Sequence, residues 1–517
     1  MKRKKQSAYA ESLFRSGSAF LLSRILACLF LFLGFVPSAM GDIYEQNKLR
    51  FWLNDDGTCQ VTEYTLGGYK YDDEKIVIPE KINVDGKSYT VTSLETYAFR
   101  GYVNVPEIII PSTVTSIGYG AFCLCKSLSE ISIPSSVTLI GAEAFLGCTG
   151  LKKIIFEDGN TTLQLGEMVM SENMFFNTPS LKEIYIGRNI LDPYSTIGID
   201  NSSFSGNKTI TKITMSNYVS VLQDEMFANC SALNTLILSN SLTKINQGAF
   251  KNCSNLQNLE IPNSVSTIEE NAFLECPLTN LTLGESVKSI GESAFYGSNL
   301  TSLRIPDSVI SIGRRAFESA PLSQLSLGNS LQTIGDYAFA GSDAADVKNR
   351  LKEIIIPNSV ITIGNYAFSN GNIENVILGS SVSSIGYDAI GGRRLKKIVS
   401  YALTPPSLGC SFSDWGHEVL IYVTPSVVNA YKSDSKWSDY YTKILPIVPV
   451  ESVTFDSTEW EGSIGETYKI QSSVLPSDVS DTSLIWTSSD PDVDCLPVKR
   501  LLLHPLISLR RLRQSVM

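Results

Sequence analysis

Few residues in this 517-residue chain are suited to catalysis. The sequence holds only two histidines, His417 and His504, and both lie outside the repeated region described below. No Ser-His-Asp or Cys-His arrangement can therefore be assembled in that region. Adjacent acidic residues such as Asp55-Asp56 are typical of solvated turns, and the sequence contains no glycine-rich phosphate loop or His-Glu zinc helix. We therefore expect neither an enzyme nor a bound cofactor.

The ten cysteines give no metal-ligand spacing and no dense disulfide framework. Five of them lie three residues after a recurring phenylalanine: Cys125, Cys148, Cys230, Cys253 and Cys276. Later copies of this position hold Ser298, Ala320 and Gly371. A position that accepts Cys, Ser, Ala and Gly is typical of a small buried side chain. We expect buried thiols there and no metal, while disulfides between successive turns stay an open alternative.

The pair Ala-Phe recurs at intervals of 22 or 23 residues, or of 29 or 30 where segments are inserted. The phenylalanines of this series, three of which lack the preceding alanine, are Phe99, Phe122, Phe145, Phe175, Phe204, Phe227, Phe250, Phe273, Phe295, Phe317, Phe339 and Phe368. Ile390 ends the series, which makes about thirteen turns. A unit of this length cannot bury its apolar residues alone, so the repeat predicts a solenoid of stacked turns.

One unit indicates how each turn is built. Residues 259–261 alternate with the period of two that predicts a short strand, and Pro262, which has no N–H to donate, ends it. Val265 and Ile268 are expected to point inward. In most units a glycine follows the equivalent of Ile268, and we expect it to serve unusual backbone dihedral angles or a close backbone approach. Ala-Phe then closes the turn.

The consensus of these units, L-x-x-I-x-I-P-x-S-V-x-x-I-G-x-x-A-F-x-x-C, resembles the BspA-type, or treponemal-type, leucine-rich repeat. The resemblance covers residues 76–399 and implies a mainly β solenoid in which the turns share a parallel β-sheet face. It also implies a secreted or surface-displayed bacterial protein that adheres to host extracellular-matrix proteins or to other cells. The family carries no catalytic residues that could be transferred to this chain.

The N-terminus predicts export. Residues 2–5 are all basic. Residues 25–36 are apolar, but this segment is too short to span a bilayer comfortably, and Ala39 and Gly41 are small. This order is typical of a secretory signal peptide, residues 1–41. A retained membrane anchor and a lipoprotein cleavage site at Cys28 are the alternatives. We expect no membrane insertion of the mature chain.

Both ends of the solenoid need caps. Residues 42–75 are expected to form the N-terminal cap, with a hairpin that turns at Asp56-Gly57. Residues 400–448 are expected to form the C-terminal cap, with a last strand at residues 420–423. A short helical closure should follow, with its apolar contacts at Val428, Tyr431, Trp437 and Tyr441.

The chain beyond the C-terminal cap has a different character. Residues 449–493 predict strands at 453–455, 468–470 and 484–487, and they resemble the first half of a bacterial immunoglobulin-like (Big-2) domain, an incomplete β-sandwich. Residues 494–517 form an irregular basic tail. A change of reading frame is the simplest account of the tail, and a genuine basic segment that binds a membrane or partner is the alternative.

The charge of the chain narrows the choice of partner. Its formal net charge is −10, and the predicted signal peptide is basic, so the mature chain would be more acidic still. Such a chain repels the phosphate backbone, so we expect no nucleic acid. The expected partner is a protein, such as a host-matrix or cell-surface protein, and the expected state is a monomer.

A partner would meet the outward residue between the two inward residues of each sheet strand. Of these positions, the candidate binding residues are Ile155, Tyr185, Ile237, Arg304, Ile355, Ile377 and Val399. The last three should form one apolar column, which is either a docking patch or a surface covered by the C-terminal cap. A structural spacer without a ligand is the main alternative to an adhesin. A glycan-binding module is weaker, because Tyr185 is the only aromatic residue of the outward series.

Overall fold

The computed structural model describes residues 43–63, 75–166, 174–175, 177–192, 203–341, 351–369, 371–390, 394–409 and 419–448, and the backbone of 452–455 and 472–475. The predicted signal peptide, both histidines and the predicted basic tail lie outside these residues. The chain divides into two compact units, Met1–Asn258 and Leu259–Met517.

The first unit begins with a three-stranded antiparallel arrangement of Ile43–Gln46, Leu49–Leu53 and Thr58–Thr62. Gly57, with φ of 83°, completes the turn between the second and third strands. The carboxylate of Asp56 accepts hydrogen bonds from the backbone N–H (2.9 Å) and the hydroxyl (2.6 Å) of Thr58. These bonds lower the pKa of Asp56. The hairpin predicted at Asp56-Gly57 is therefore present, and its acidic residue serves the turn.

Two parallel sheets follow in the first unit, and we call their members front strands and back strands. The five-stranded front sheet consists of Glu130–Ile133, Lys153–Phe156, Glu183–Ile186, Lys212–Met215 and Thr235–Ile237. The two strands that precede it, Ile76–Val77 and Ile108–Ile109, pair with each other. The back strands continue in order from Thr58–Thr62 through Lys87–Leu94, Ser116–Ile117, Leu139–Ile140, Leu163–Leu165 and Ile190–Leu191. A short strand, Lys81–Val84, pairs antiparallel with Lys87–Leu94. A further back strand lies at Lys244–Ile245.

The interior of the first unit is a set of columns. Phe99, Phe122, Phe145 and Phe175 stack with ring centroids 5.4–5.7 Å apart and interplanar angles of 4–6°. The row continues through Phe204, Phe227 and Phe250. The backbone N–H of Phe99 donates to the carbonyl of Ala121, one turn further on, and Phe122 repeats this with Ala144. The predicted stacking of each side chain on its own copy is therefore confirmed here.

A buried arginine accompanies the irregular turns of the first unit. The guanidinium of Arg188 donates to the carbonyls of Ser135 (2.7 Å), Val137 (2.7 Å) and Pro134 (2.9 Å). Burial lowers its pKa to about 10, against the opposing influence of the Glu157 carboxylate. Arg188 thus supplies hydrogen-bond donors to carbonyls of a turn more than 50 residues earlier in the chain.

The second unit repeats the arrangement. Its back strands, paired in parallel in chain order, are Thr267–Ile268, Ser289–Ile290, Ser311–Ile312, Thr333–Ile334, Thr362–Ile363, Ser384–Ile385 and Ser407–Leu408. Its front strands are Asn280–Thr282, the pair Ser302–Arg304 and Gln324–Ser326, and a five-stranded sheet of Glu353–Ile355, Asn375–Leu378, Lys397–Ser400, Leu420–Val423 and Ile444–Pro446. One further front strand, Asn258–Glu260, lies at the boundary of the two units.

The second unit has its own phenylalanine column. Phe273, Phe295, Phe317, Phe339 and Phe368 stack at 5.2–5.5 Å with interplanar angles of 2–10°. Val265 and Ile268 are buried, as the unit pattern predicts. Ile390, which takes the place of the last phenylalanine, is also buried.

The corner glycines are needed because the backbone of the preceding turn lies close to them, and not because their dihedral angles are unusual. A Cβ added to Gly141 would lie 2.5 Å from the backbone nitrogen of Tyr119, and one added to Gly335 would lie 2.6 Å from the carbonyl carbon of Gly313. Neither glycine has a positive φ. The left-handed residue instead lies directly before Ala-Phe, as at Glu143, whose φ is 56°. Of the two explanations, a close backbone approach is therefore confirmed, and unusual dihedral angles are wrong for these glycines.

The C-terminal closure differs from its prediction in two details. The strand Leu420–Val423 is not the last, because Ile444–Pro446 adds a parallel strand beside it. Between them lie 3₁₀ turns at Pro425–Val427 and Trp437–Lys443 and an α-helix at Val428–Ser433. Tyr431 and Trp437 are fully buried, but Tyr441 is 57% exposed, and Tyr440 is buried in its place. The Trp437 indole N–H donates to the Pro406 carbonyl at 2.8 Å.

Two antiparallel strands, Ser452–Phe455 and Ser472–Leu475, follow the closure. The first matches the strand predicted at 453–455. The strands predicted at 468–470 and 484–487 lie outside the described residues.

Candidate functional site

The front sheet of the first unit brings three candidate residues into one column. Ile155 pairs in register with Tyr185, Tyr185 with Thr214, and Thr214 with Ile237. Ser132 extends the column on the other side of Ile155. Because neighbours along each strand point to opposite faces, the residues on either side of Ile155, namely Ile154 and Phe156, are buried.

This column, which we call the front column, is partly open to solvent. Ile237 is 48% exposed, and Ile155 and Tyr185 are half-buried. Parallel strands lie roughly 4.8 Å apart, so these three side chains, with Thr214 between Tyr185 and Ile237, form a narrow strip that is partly apolar. A partly exposed strip of this kind offers the apolar centre that protein interfaces usually have.

Acidic residues lie along one side of the front column. The hydroxyl of Ser132 donates to Oε1 of Glu157 at 2.7 Å, and the phenol of Tyr185 donates to Oδ1 of Asp158 at 2.8 Å. Burial and the neighbouring Asp158 carboxylate raise the pKa of Tyr185. The phenol is therefore a fixed neutral donor, and the two carboxylates give this side of the strip a negative rim.

Charges of alternating sign lie along the other side. Glu130, Lys153, Glu183 and Lys212 occupy equivalent positions on four adjacent strands. Lys153 Nζ lies 3.3 Å from Glu130 Oε1, and Lys212 Nζ lies 3.7 Å from Glu183 Oε2. Exposed pairs of this kind contribute little stability, but their order along the sheet can select a partner of complementary charge.

The second unit does not present an exposed apolar column, which is one of the two alternatives that the sequence leaves open for these positions. Ile355, Ile377 and Val399 do lie in register on adjacent strands. However, Ile377 is only 3% exposed and Val399 is fully buried, while Ile355 is half-buried. Both buried residues have apolar in-register neighbours on each side, because Tyr422 continues the column beyond Val399. The expectation that these positions form an open docking strip is therefore wrong for Ile377 and Val399.

Arg304 lies on a different pair of strands, in register with Ser326. It is exposed, and its guanidinium forms an ion pair with Glu285 at 2.5 Å. Arg304 is therefore separate from the apolar column of the second unit.

The recurring cysteines are free and buried, as the small-residue interpretation predicts. The thiols of Cys125 and Cys148 each donate to the carbonyl of a phenylalanine in the preceding turn, Phe99 and Phe122 respectively, at 3.0 Å. Burial raises the pKa of Cys125, and the neighbouring Cys148 adds to this effect. These thiols are structural hydrogen-bond donors, and none of the described cysteines is in a disulfide.

The described ranges contain neither a candidate metal cluster nor a candidate membrane-spanning helix. No group of three or more His, Cys, Asp or Glu side chains in them could hold a metal ion. None of the helices in the same ranges has the length and apolar character needed to cross a bilayer.

The corners of the turns carry partly exposed aromatic residues, which the alternation of the front strands does not predict. Four of them, Tyr97, Tyr119, Tyr337 and Tyr366, lie one or two residues before an Ala-Phe pair, and Tyr387 lies two residues before Ala389-Ile390. The sequence does contain a signal for them. The residue before the Ala-Phe pair varies from turn to turn, and in several turns it is a tyrosine.

Solved structures of several bacterial proteins are similar to this chain. A leucine-rich cell surface protein from Faecalibacterium prausnitzii is 25% identical, with 73% of this chain and 97% of that chain covered and a TM-score of 0.32. A leucine-rich repeat protein from Bacteroides ovatus is 20% identical, with coverage of 78% and 100% and a TM-score of 0.36. The pneumococcal vaccine antigen PcpA is 19% identical, with coverage of 79% and 98% and a TM-score of 0.29.

These TM-scores are low, so the assignment depends on the repeat itself. No curated protein matches the chain significantly. The model of the BspA type leucine rich repeat region matches in six copies over residues 79–196, 169–298 and 266–396, which together make up more than half of the chain. With the stacked interior columns and the parallel sheets, this match shows that the chain belongs to the BspA-type leucine-rich-repeat family.

Proposed function

We propose that this protein is a secreted or surface-exposed scaffold that binds proteins, and that it acts as a bacterial adhesin toward host-matrix or cell-surface proteins. Leucine-rich-repeat proteins commonly bind proteins, and BspA-type members are typically found at the cell surface. The observation that carries the proposal is the front column, where Ile155, Tyr185 and Ile237 lie in register, partly exposed, between two charged margins. Ile355 and Arg304 are secondary contact positions.

The charge of the margins indicates the kind of partner. Glu157 and Asp158 are exposed beside the front column, and the chain as a whole is acidic. A partner with a basic rim around an apolar centre would complement this surface. Host-matrix glycoproteins with basic segments are therefore the first candidates.

Binding of purified matrix glycoproteins to the full chain tests the proposal. We expect saturable binding, and we expect the double variant Ile155→Lys/Ile237→Lys to lose about tenfold or more in affinity, since charge enters the apolar centre. Ile310→Lys is the matched control, because Ile310 is 41% exposed and directly precedes the back strand Ser311–Ile312 of the second unit. Absence of saturable binding at micromolar concentration would favour the spacer alternative.

Export is part of the same proposal and is tested separately. The basic residues 2–5, the apolar residues 25–36 and the small residues before Asp42 support a signal peptide that ends at Gly41. We expect protein recovered from the outside of the cell to begin at Asp42 when its N-terminus is sequenced. An intact N-terminus on the recovered protein would instead favour the retained anchor.

A further inference from the structure

One front strand of the first unit carries opposite charges at its two ends. Residues 152–158 read Lys-Lys-Ile-Ile-Phe-Glu-Asp, so two lysines precede Ile155 and two acidic residues follow it at equal distances along the chain. Ile155 points outward and is half-buried, whereas its neighbours Ile154 and Phe156 are buried. A second copy of this segment that runs in the opposite direction would therefore place a carboxylate opposite each lysine.

The charges of this segment are available to a partner. Lys152, Glu157 and Asp158 are exposed, and Lys152 has no ion-pair partner among the described residues. The carboxylates of Glu157 and Asp158 accept hydrogen bonds from the neutral hydroxyls of Ser132 (2.7 Å) and Tyr185 (2.8 Å). These bonds orient the two carboxylates beside the front column without neutralising them.

The neighbouring front strands do not oppose this polarity. Lys75 Nζ lies 2.8 Å from Glu107 Oε1, and Lys212 Nζ lies 3.7 Å from Glu183 Oε2, so these charges are paired within one copy. Lys182, which is exposed on the strand next to Lys152, adds positive charge on the lysine side. One margin of the front column is thus partly basic, and the opposite margin is acidic.

The front column is also longer than its predicted members indicate. Val77 pairs in register with Ile109, and the parallel bridge between Glu107 and Glu130 places Ile109 beside Ser132. Val77 is 59% exposed and Ile109 is 38% exposed. With these two residues the column covers seven adjacent strands, a length of roughly 30 Å. Exposed apolar strips of this extent usually mark an interaction surface.

A two-fold axis along the front column would make two copies of this surface complementary. Rotation about such an axis places each residue of the column against its own copy, so apolar side chains meet apolar side chains. It also reverses the strand direction, so Lys152 faces Asp158 of the other copy and Lys153 faces Glu157 of the other copy. Copies with the same strand direction would bring lysine against lysine, which is unfavourable. Two-fold interfaces, in which the same patch of both subunits meets, are the commonest in homo-oligomers.

We propose that the front column of the first unit joins two copies of this chain in a homodimer, with strands antiparallel across the interface and Ile155 at its centre. This state differs from the monomer that the sequence predicts. The dimer uses the surface on which the proposed function rests, so the copies have to separate before a protein ligand can bind there. Because the strip is narrow, the dimer is weak and forms where the chain is concentrated.

Sedimentation equilibrium of the full chain tests the proposal. We expect the average mass to rise from that of one chain toward that of two as the protein concentration rises to about 0.5 mM. The variants Lys152→Glu/Lys153→Glu and Glu157→Lys/Asp158→Lys should each raise the dissociation constant of the dimer at least tenfold, since like charges then meet. An equimolar mixture of the two variants should dimerise again, because every reversed charge finds an opposite charge on the other chain.

A charge-matched variant controls for the change in net charge. Lys87→Glu/Lys208→Glu replaces two exposed lysines outside the front strands and should dimerise like the parent chain. All four variants alter exposed or half-exposed side chains, so their circular dichroism spectra should match that of the parent.

Three results would overturn the dimer: a parent chain that stays monomeric at about 0.5 mM, a mixture of the two charge-reversed variants that stays monomeric, or dimerisation that persists in Ile155→Lys. None of these measurements needs a matrix protein. A monomeric parent chain that still binds a matrix glycoprotein would therefore refute the dimer alone, and a dimer that binds no matrix glycoprotein would count against the adhesin alone.

Discussion

The two units use the same interior and tolerate irregularity differently. In the second unit, consecutive phenylalanine rings are within 10° of parallel, even across the insertion that precedes Phe368. In the first unit, the ring of Phe204 is tilted by 28° from Phe175 and by 37° from Phe227. The first unit also buries Arg188 among backbone carbonyls. The ring column of the second unit is therefore undisturbed across its insertion, whereas the column of the first unit is tilted at Phe204.

The outward positions of the back strands differ more than the interior. In the first unit, Leu139 and Leu191 are exposed and apolar. In the second unit, the equivalent positions hold hydroxyl residues on seven adjacent strands: Thr267, Ser289, Ser311, Thr333, Thr362, Ser384 and Ser407. Inward positions are constrained by packing against their own copies, whereas outward positions are free to vary. Differences between the units in partner binding should therefore arise from outward residues.

The largest effect is expected from the shared interior. Phe122→Ala in the first unit and Phe317→Ala in the second should each lower the free energy of unfolding by about 3–5 kcal/mol, because both leave a gap in a fully buried ring column. Urea unfolding of the full chain, followed by circular dichroism, measures both variants. Similar losses would support a common interior.

A phenylalanine beside the tilted rings sharpens this test. Phe204→Ala should be less destabilising than Phe122→Ala if the irregular turns can relax into the gap. An equal loss for Phe204→Ala would show that the tilt is a fixed part of the packing. A loss below about 1 kcal/mol for Phe122→Ala or Phe317→Ala would contradict the interior column itself.

The inward half of the molecule could be predicted from the sequence because it repeats. The Phe column, the buried thiol position and the end of some front strands before a proline all follow from residue type at a fixed interval. The positions of the left-handed residues did not follow, because Glu143, Tyr337 and Tyr366 are poor indicators of positive φ. The backbone hydrogen bonds between turns fix that conformation, and local sequence preference is overridden.

The candidate site was only partly predictable. Alternation correctly identified which front-strand residues point outward, as Ile155 and Ile237 show. It could not predict exposure, because whether Ile377 and Val399 contact solvent depends on what packs beside and above their strand. The corner tyrosines, such as Tyr337 and Tyr366, could not be predicted from strand alternation, because they belong to none of the strands.

A smaller effect should distinguish the thiol-rich first unit from the second. Burial raises the pKa of Cys59 to about 11 and that of Cys230 to about 12, from an ordinary value of 9.0. Above pH 9 the unfolded chain loses these protons while the folded chain keeps them. The stabilising contribution is therefore complete below pH 9 and falls as the pH rises toward 11–12, by at most about 1.4 kcal/mol per pH unit for each thiol.

Substitutions at the thiol position test this alkaline sensitivity. Cys230→Ala should flatten the decline in the free energy of unfolding between pH 9 and pH 10.5, measured by urea unfolding at each pH. Ser298→Cys should steepen it, because Ser298 occupies the equivalent buried position in the second unit. Both variants should match the slope of the parent chain below pH 8, where the thiol is neutral in both states. Identical slopes for all three proteins above pH 9 would mean that other groups, such as the buried phenol of Tyr431, whose pKa burial raises to about 12, govern alkaline unfolding.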